Sequence, residues 1–222
     1  MDHNQKGIEL LQQGKYEEAL ECFTKAIEEK PNDAVAYINF GNVLTAVGET
    51  EKAIKFFEKA IQLNEEQPAA YYSLGSLFYE QAHYEEAAAM FEKALKNGLQ
   101  DQDVYFMLGM CFVQLGNALL SIPYLMRSVE LGPEDTEARF QYGLALAKSG
   151  EYKQAIAQLE MVVNQDPGHA DAYYNLGVAY GSMYNDAEKA LVFFEKAIDA
   201  QPDHQLAHYG KQMIQKLENE EK

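Results

Sequence analysis

The 222-residue chain contains no tryptophan, only two cysteines and six prolines, and it is short of positive charge. Lysine and arginine total 18 against 35 aspartates and glutamates, which gives a formal net charge of -17. Such an excess repels phosphate backbones and anionic lipid surfaces. Nucleic acid and membrane partners are therefore not expected, and a charged partner is expected to be basic. Cys22 and Cys111 lie far apart with no CxxC. They fit a reducing cytoplasm better than a disulfide framework. The opening MDHNQKGIELLQQGKYEEA has early acids and lacks the apolar segment of a secretory leader. The longest apolar run is residues 104–113. It falls well short of the ~20 residues needed to span a bilayer.

Chemical motifs are missing as well. The sequence has no HExxH, P-loop, GxSxG or dinucleotide fingerprint. His204 and His208 are one helical turn apart, but no third ligand falls beside them, so they read as surface histidines. No catalytic residue, metal or cofactor is implied, and the chain is not expected to be an enzyme.

What is present is a period. Gly7, Gly41, Gly75, Gly109, Gly143 and Gly177 recur every 34 residues. Twelve residues after each of the first five stands a small residue: Ala19, Ala53, Ala87, Ser121 or Ala155. In the sixth the matching Ala190 sits thirteen on. Four residues later come Phe23, Phe57, Phe91, Leu125, Leu159 and Phe194. This is a helix–turn–helix repeat, with helix A ending near Gly14, Gly48, Gly116 or Gly150, where a left-handed residue suits a helix end. Pro31, Pro133, Pro167 and Pro202 close helix B in four repeats. A glycine within helix A costs about 1 kcal/mol against alanine. Six at one phase imply that helix B approaches too closely there for a β-carbon.

These residues closely resemble the signature of the tetratricopeptide repeat (TPR) family. The segments AYYSLGSLFYEQAHYEEAAAMFEKAL and AYYNLGVAYG…AEKALVFFEKAIDAQP carry it most fully, and the resemblance covers residues 1 to about 204. It implies an all-α fold, a right-handed α-superhelix (solenoid) whose concave face is lined mainly by helices A. The chain looks like a stand-alone bacterial all-TPR protein. One array is expected, with repeats at 1–33, 34–67, 68–101, 102–135, 136–169 and 170–204. Residues 205–222 read as a capping helix: Leu206, Tyr209, Met213 and Leu217 form one apolar stripe to pack on the last repeat, with Lys211, Gln212, Gln215 and Lys216 facing away.

With the glycine numbered eight, helical spacing and the resemblance aim positions two, five, nine and twelve at the concave groove. Position five reads Asn4, Ile38, Tyr72, Phe106, Phe140 and Tyr174. Position nine reads Ile8, Asn42, Ser76, Met110, Leu144 and Val178, and position twelve adds Tyr79 and Val113. Packed helices lie ~8–10 Å apart. An extended peptide advances ~3.3 Å per residue, so about every third side chain would meet a rung of this ladder. The competing reading wedges position five between neighbouring helices as core. Glu80, Asp103, Glu137 and Asp171 surround the surface, with Lys148 the main exception, and favour a basic or amphipathic ligand. Positions four, seven, eight and eleven face helix B. In the fourth repeat these are Tyr105, Leu108, Gly109 and Phe112, and Cys111 reads as a small buried hydrophobe.

The resemblance also excludes two family functions. Co-chaperones that grip a C-terminal carboxylate use Lys, Asn and Arg at positions five and nine. Here position five has no Lys or Arg, and only Asn42 matches at nine. An asparagine ladder at position six is interrupted by Ser73, Met107 and Gln141.

Helix B of the fourth repeat, NALLSIPYLMRSVELG, departs from the charged pattern of its counterparts. Leu119, Leu120, Pro123 and Met126 stand where others carry Glu and Lys, a convex apolar patch rimmed by Arg127 and Glu130. The expected function is a non-enzymatic scaffold or adaptor that binds a peptide or partner protein in the groove. The alternative is a self-associating structural or chaperone-like subunit using the convex patch.

Overall fold

Helices begin where a short side chain can accept the free N–H groups of a first turn. Asp33 Oδ1 accepts from the Val35 amide at 3.0 Å, Asp101 Oδ1 from Val104 at 3.0 Å and Asp135 Oδ1 from Ala138 at 2.9 Å. They end where the chain turns left-handed. Gly14, Gly48, Gly116 and Gly150 take φ between 72° and 86°. Beyond three of them the next residue closes the turn, Lys15 N–H on Leu10 C=O, Glu49 on Leu44 and Glu151 on Leu146. In the third repeat Ala82 takes this conformation, at φ 60°, and in the sixth Asn185 does, at φ 50°. The sixth turn holds one extra residue, and Asp186 N–H closes it on Tyr180 C=O at 3.0 Å.

The chain is a computed structural model describing residues 2–220; the expected end of the capping segment at 221–222 lies outside them. Thirteen α-helices, and no strand, are found among the described residues. They gather into two compact bodies, Met1–Leu115 and Gly116–Lys222. The first contains α1 (His3–Gln12), α2 (Tyr16–Glu29), α3 (Ala34–Ala46), α4 (Thr50–Leu63), α5 (Pro68–Glu80), α6 (Tyr84–Lys96) and α7 (Gln102–Gln114). The second contains α8 (Ala118–Leu131), α9 (Thr136–Lys148), α10 (Tyr152–Gln165), α11 (Ala170–Met183), α12 (Ala187–Ala200) and α13 (Gln205–Glu220). The architecture is all-α: helices A and B alternate as six repeats, followed by α13.

In five of the six repeats the glycine of helix A meets a large buried side chain of helix B. A Cβ built on Gly41 would lie 2.6 Å from Phe57 Cε1, and one on Gly7 would lie 2.6 Å from Phe23 Cε1. At Gly177 the nearest atoms of Phe194 are 2.7 Å away. Ala19, Ala53, Ala87, Ala155 and Ala190 are buried on the facing helices, together with the aromatic or leucine four residues on. A second periodic position escapes the sequence reading. Ala36, Ala70, Val104, Ala138, Ala172 and Ala207 are all fully buried, one in each helix A from α3 onward. Small residues there let successive helices A touch: α1, α3, α5 and α7 in the first body, α11 and α13 in the second.

α13 packs differently from expectation. Its buried contacts come from Ala207, Gly210 and Ile214, which meet α12 and α11. Leu206, Tyr209, Met213 and Leu217 are instead 56%, 62%, 41% and 52% exposed. Its apolar character predicts the stripe as the packing face. The real packing face is built of small residues, which allow the closer approach.

Candidate partner-binding surface

In the first body the residues expected at the groove lie on α3, α5 and α7. Ile38 is buried within the core cluster of Phe57, Leu74 and Leu77. Tyr72 is half-buried, its ring 5.5 Å from that of Phe91 in edge contact. Phe106, Met110 and Val113 on α7 and Tyr79 on α5 are also half-buried. Each keeps part of an apolar surface available. The polar members are tied to the scaffold: Ser73 Oγ donates to Asn42 Oδ1 at 3.2 Å, and Ser76 Oγ donates back to Tyr72 C=O at 3.0 Å. Tyr79 meets Tyr84 edge-on at 5.3 Å.

Acidic side chains lie near one of these rings. The Tyr72 phenol is raised above its ordinary pKa, first by burial and then by Asp103 and Asp101. Acids on α7 and at its N-cap therefore act on a ring of α5. Cys111, on the same helix, is fully buried, and burial pushes its thiol up to about 12. The thiol is held protonated in the fold. Its contribution to stability is present in full below the unfolded value of 9.0 and is lost as the pH climbs towards 12. Native Cys111 should therefore resist a thiol reagent at pH 8 and react only in denaturant. Rapid labelling of Cys111 in the native protein, located by mass spectrometry, would disprove its burial.

In the second body the ladder comes from α9 and α11. Phe140 is buried, with the imidazole of His169 4.5 Å from its ring. Leu144 and Tyr174 are half-buried, and His204 lies 5.3 Å from the Tyr174 ring. The two histidines repeat one device. His169 Nδ1 accepts from the Ala172 amide at 3.2 Å and His204 Nδ1 from Ala207 at 3.1 Å, so each caps the helix it precedes. His204 is buried and its Nε2 donates to Asp171 Oδ1 at 3.1 Å. The surface position read from sequence for His204 is thus corrected: it is a buried cap, while His208 is exposed.

On α8, Leu119 is 72% exposed, and Leu120, Pro123 and Met126 are exposed beside it. Pro123 sits inside the helix, which continues to Leu131. Arg127 and Glu130 pair at 2.8 Å along the rim. Among the described residues no group of three or more His, Cys, Asp or Glu side chains could hold a metal ion, and no helix is long and apolar enough to cross a membrane.

Sequence reading does not place α13 in the register of a helix A. Leu206, Tyr209, Met213 and Leu217 stand 35 residues after Asp171, Tyr174, Val178 and Ser182. That offset, which also relates Pro167 to Pro202 and His169 to His204, was the available signal.

Family models described as tetratricopeptide repeat match residues 3–33, 33–98, 72–136 and 170–204, and one described as TPR repeat matches 143–183. The TPR repeat-containing protein YrrB of Bacillus subtilis is 60% identical over 37 residues, and that alignment spans only 18% of the relative's length. The crystal structure of YrrB, described as a TPR protein with an unusual peptide-binding site, superposes with a TM-score of 0.84 at 49% identity. It covers 87% of this chain and 99% of that one. PilF of Pseudomonas aeruginosa (TM-score 0.75, 22% identity, 93% of this chain and 94% of that one) and MamA (0.72, 21%, 78% and 93%) share the fold.

Proposed function

Since the chain belongs to the tetratricopeptide repeat family, we propose that it is a cytoplasmic, non-enzymatic adaptor that holds a peptide or partner protein against the groove side of its helices A. The observation that carries this reading is the cluster of half-buried Tyr72, Tyr79, Phe106, Met110 and Val113 on α5 and α7, set beside Asp101 and Asp103. Leu144 and Tyr174 continue the pattern on the second body. Ile38 and Phe140 support the surface from within, and Asn42 and Ser76 offer polar contact. A half-buried aromatic is rigid, so it gives a ligand apolar area at small entropic cost. The acids favour a basic or amphipathic partner. The peptide-binding site of YrrB supports the same reading by kinship.

The test is affinity capture from native lysate, comparing wild type with a Phe106→Gln, Met110→Glu variant of unchanged helicity. Specifically captured proteins should fall by about tenfold or more, the scale of losing one or two interface anchors. Identical capture would overturn groove binding. The 72% exposure of Leu119 favours a second reading, self-association through α8. Leu119→Glu with Met126→Glu should then lower the sedimentation-equilibrium mass and leave capture intact.

A further inference from the structure

The end of the second body carries an apolar groove that the repeat pattern does not need. Its volume is about 310 Å³. Tyr174, Val178 and Ser182 of α11 form one wall, and Tyr209, Met213 and Leu217 of α13 form the other. Gly177, Gly181 and Gly210 lie between them, so the floor is low.

α13 occupies the place of helix A in a seventh repeat, because Ala207 and His204 repeat the roles of Ala172 and His169. The positions that would receive a helix B have changed character. Tyr173, Leu176, Gly177 and Tyr180 of α11 become His208, Lys211, Gln212 and Gln215. Lys211 is paired with Glu195 at 2.8 Å. That polar face excludes a second copy stacking its own apolar helix there to extend the array. Along the groove side the change runs the other way. Asp171 and Ser182 are replaced by Leu206 and Leu217, and a stripe of four exposed apolar side chains results.

The spacing of that stripe, three, four and four residues, is the spacing with which one helix packs on another. The groove lining itself carries no charge. Asp171 keeps an exposed carboxylate at the near end of α11. The chain as a whole carries a formal net charge of -17, which favours a partner with basic flanks. We propose that the α11–α13 groove docks an amphipathic helix of a partner protein, its apolar face seated between Tyr174, Val178, Tyr209, Met213 and Leu217 and its flanks carrying lysine or arginine. This rests on the adaptor reading above and assigns it a partner chemistry and a place. The mode is helix in groove, with apolar anchors at i, i+3 or i+4 and i+7.

Three fluorescent probes test it on the full chain by anisotropy at physiological salt. They are a leucine–lysine peptide with leucines on one helical face, a scrambled peptide of the same composition, and the first peptide with glutamate for lysine. The leucine–lysine helix should bind at least about tenfold tighter than either control. Tyr209→Gln with Met213→Glu should weaken it by about tenfold or more, since both residues are exposed and the fold is spared. Phe106→Gln with Met110→Glu should weaken it less than the α13 pair does. Loss with the α7 pair instead of the α13 pair would overturn docking at α13 and leave the adaptor reading standing. Equal binding of the scrambled or glutamate peptide, or no binding at all, would overturn the proposal, and lysate capture would still judge the adaptor reading by itself.

Discussion

Alanine at Arg139 should cost about 2–4 kcal/mol of stability, through lost charge-assisted hydrogen bonds and lost packing. Arg139 stands where the second, third, fourth and sixth repeats place Tyr37, Tyr71, Tyr105 and Tyr173. It is buried, and its guanidinium donates to Pro133 C=O at 2.7 Å and Gln158 Oε1 at 3.0 Å. Tyr37 does part of the same work, its hydroxyl donating to Pro31 C=O at 3.2 Å. Arg139 Nε, by contrast, is buried without an acceptor. A tyrosine would remove that burden and keep the bond to the loop. Arg139→Tyr should therefore fall within about 1 kcal/mol of wild type in urea unfolding, as a replaced buried charge commonly does. If the tyrosine variant is as unstable as the alanine variant, the positive charge itself is needed and the shared role is refuted.

Gly41→Ala should destabilise, while the same change at Gly143 should not. In both, alanine gains about 0.5–1 kcal/mol of helix propensity over glycine. At Gly41 the new methyl would lie 2.6 Å from a fully buried Phe57 ring, and overpacking of this kind costs about 1–3 kcal/mol. The balance is a net loss of up to about 2.5 kcal/mol. At Gly143 the nearest atoms are Leu159 Cδ2 and Cγ, both at 3.2 Å, so the leucine need give by only a few tenths of an ångström. Gly143→Ala should be neutral or gain up to about 1 kcal/mol. Phe57→Leu in the Gly41→Ala background should show a favourable coupling, since the two residues touch. Equal effects at both glycines would show that the close approach does not govern the choice of glycine.

The repeat was legible because its causes are local and recur. Gly41, Ala53 and Phe57 meet within one helix pair, and a contact that recurs from pair to pair leaves a period of 34. Burial that depends on the following repeat was not legible. Phe140 and Tyr174 occupy one register position, yet Phe140 is buried and Tyr174 is half-buried. His204 reads as a polar surface residue until Asp171 and the α13 amide are placed beside it. In α13 the sequence marks an apolar stripe and a polar back, but small residues between them make the closest contact. Leucine attracts attention in a sequence, whereas Ala207 and Gly210 do not, although they let the backbone approach Phe194.

The extra residue in the sixth turn has a practical side. The chain has accepted an insertion between α11 and α12 without disturbing Gly177 against Phe194 or Ala190 in its buried place. The left-handed Asn185 absorbs it, and Tyr184 and Asn185 are exposed. Loop tips of this kind are where chains tolerate additions. A reporter peptide or a single cysteine for a fluorophore belongs there, beside the α11–α13 groove in sequence yet off its walls, so that occupancy of the groove can be followed by a label that takes no part in it.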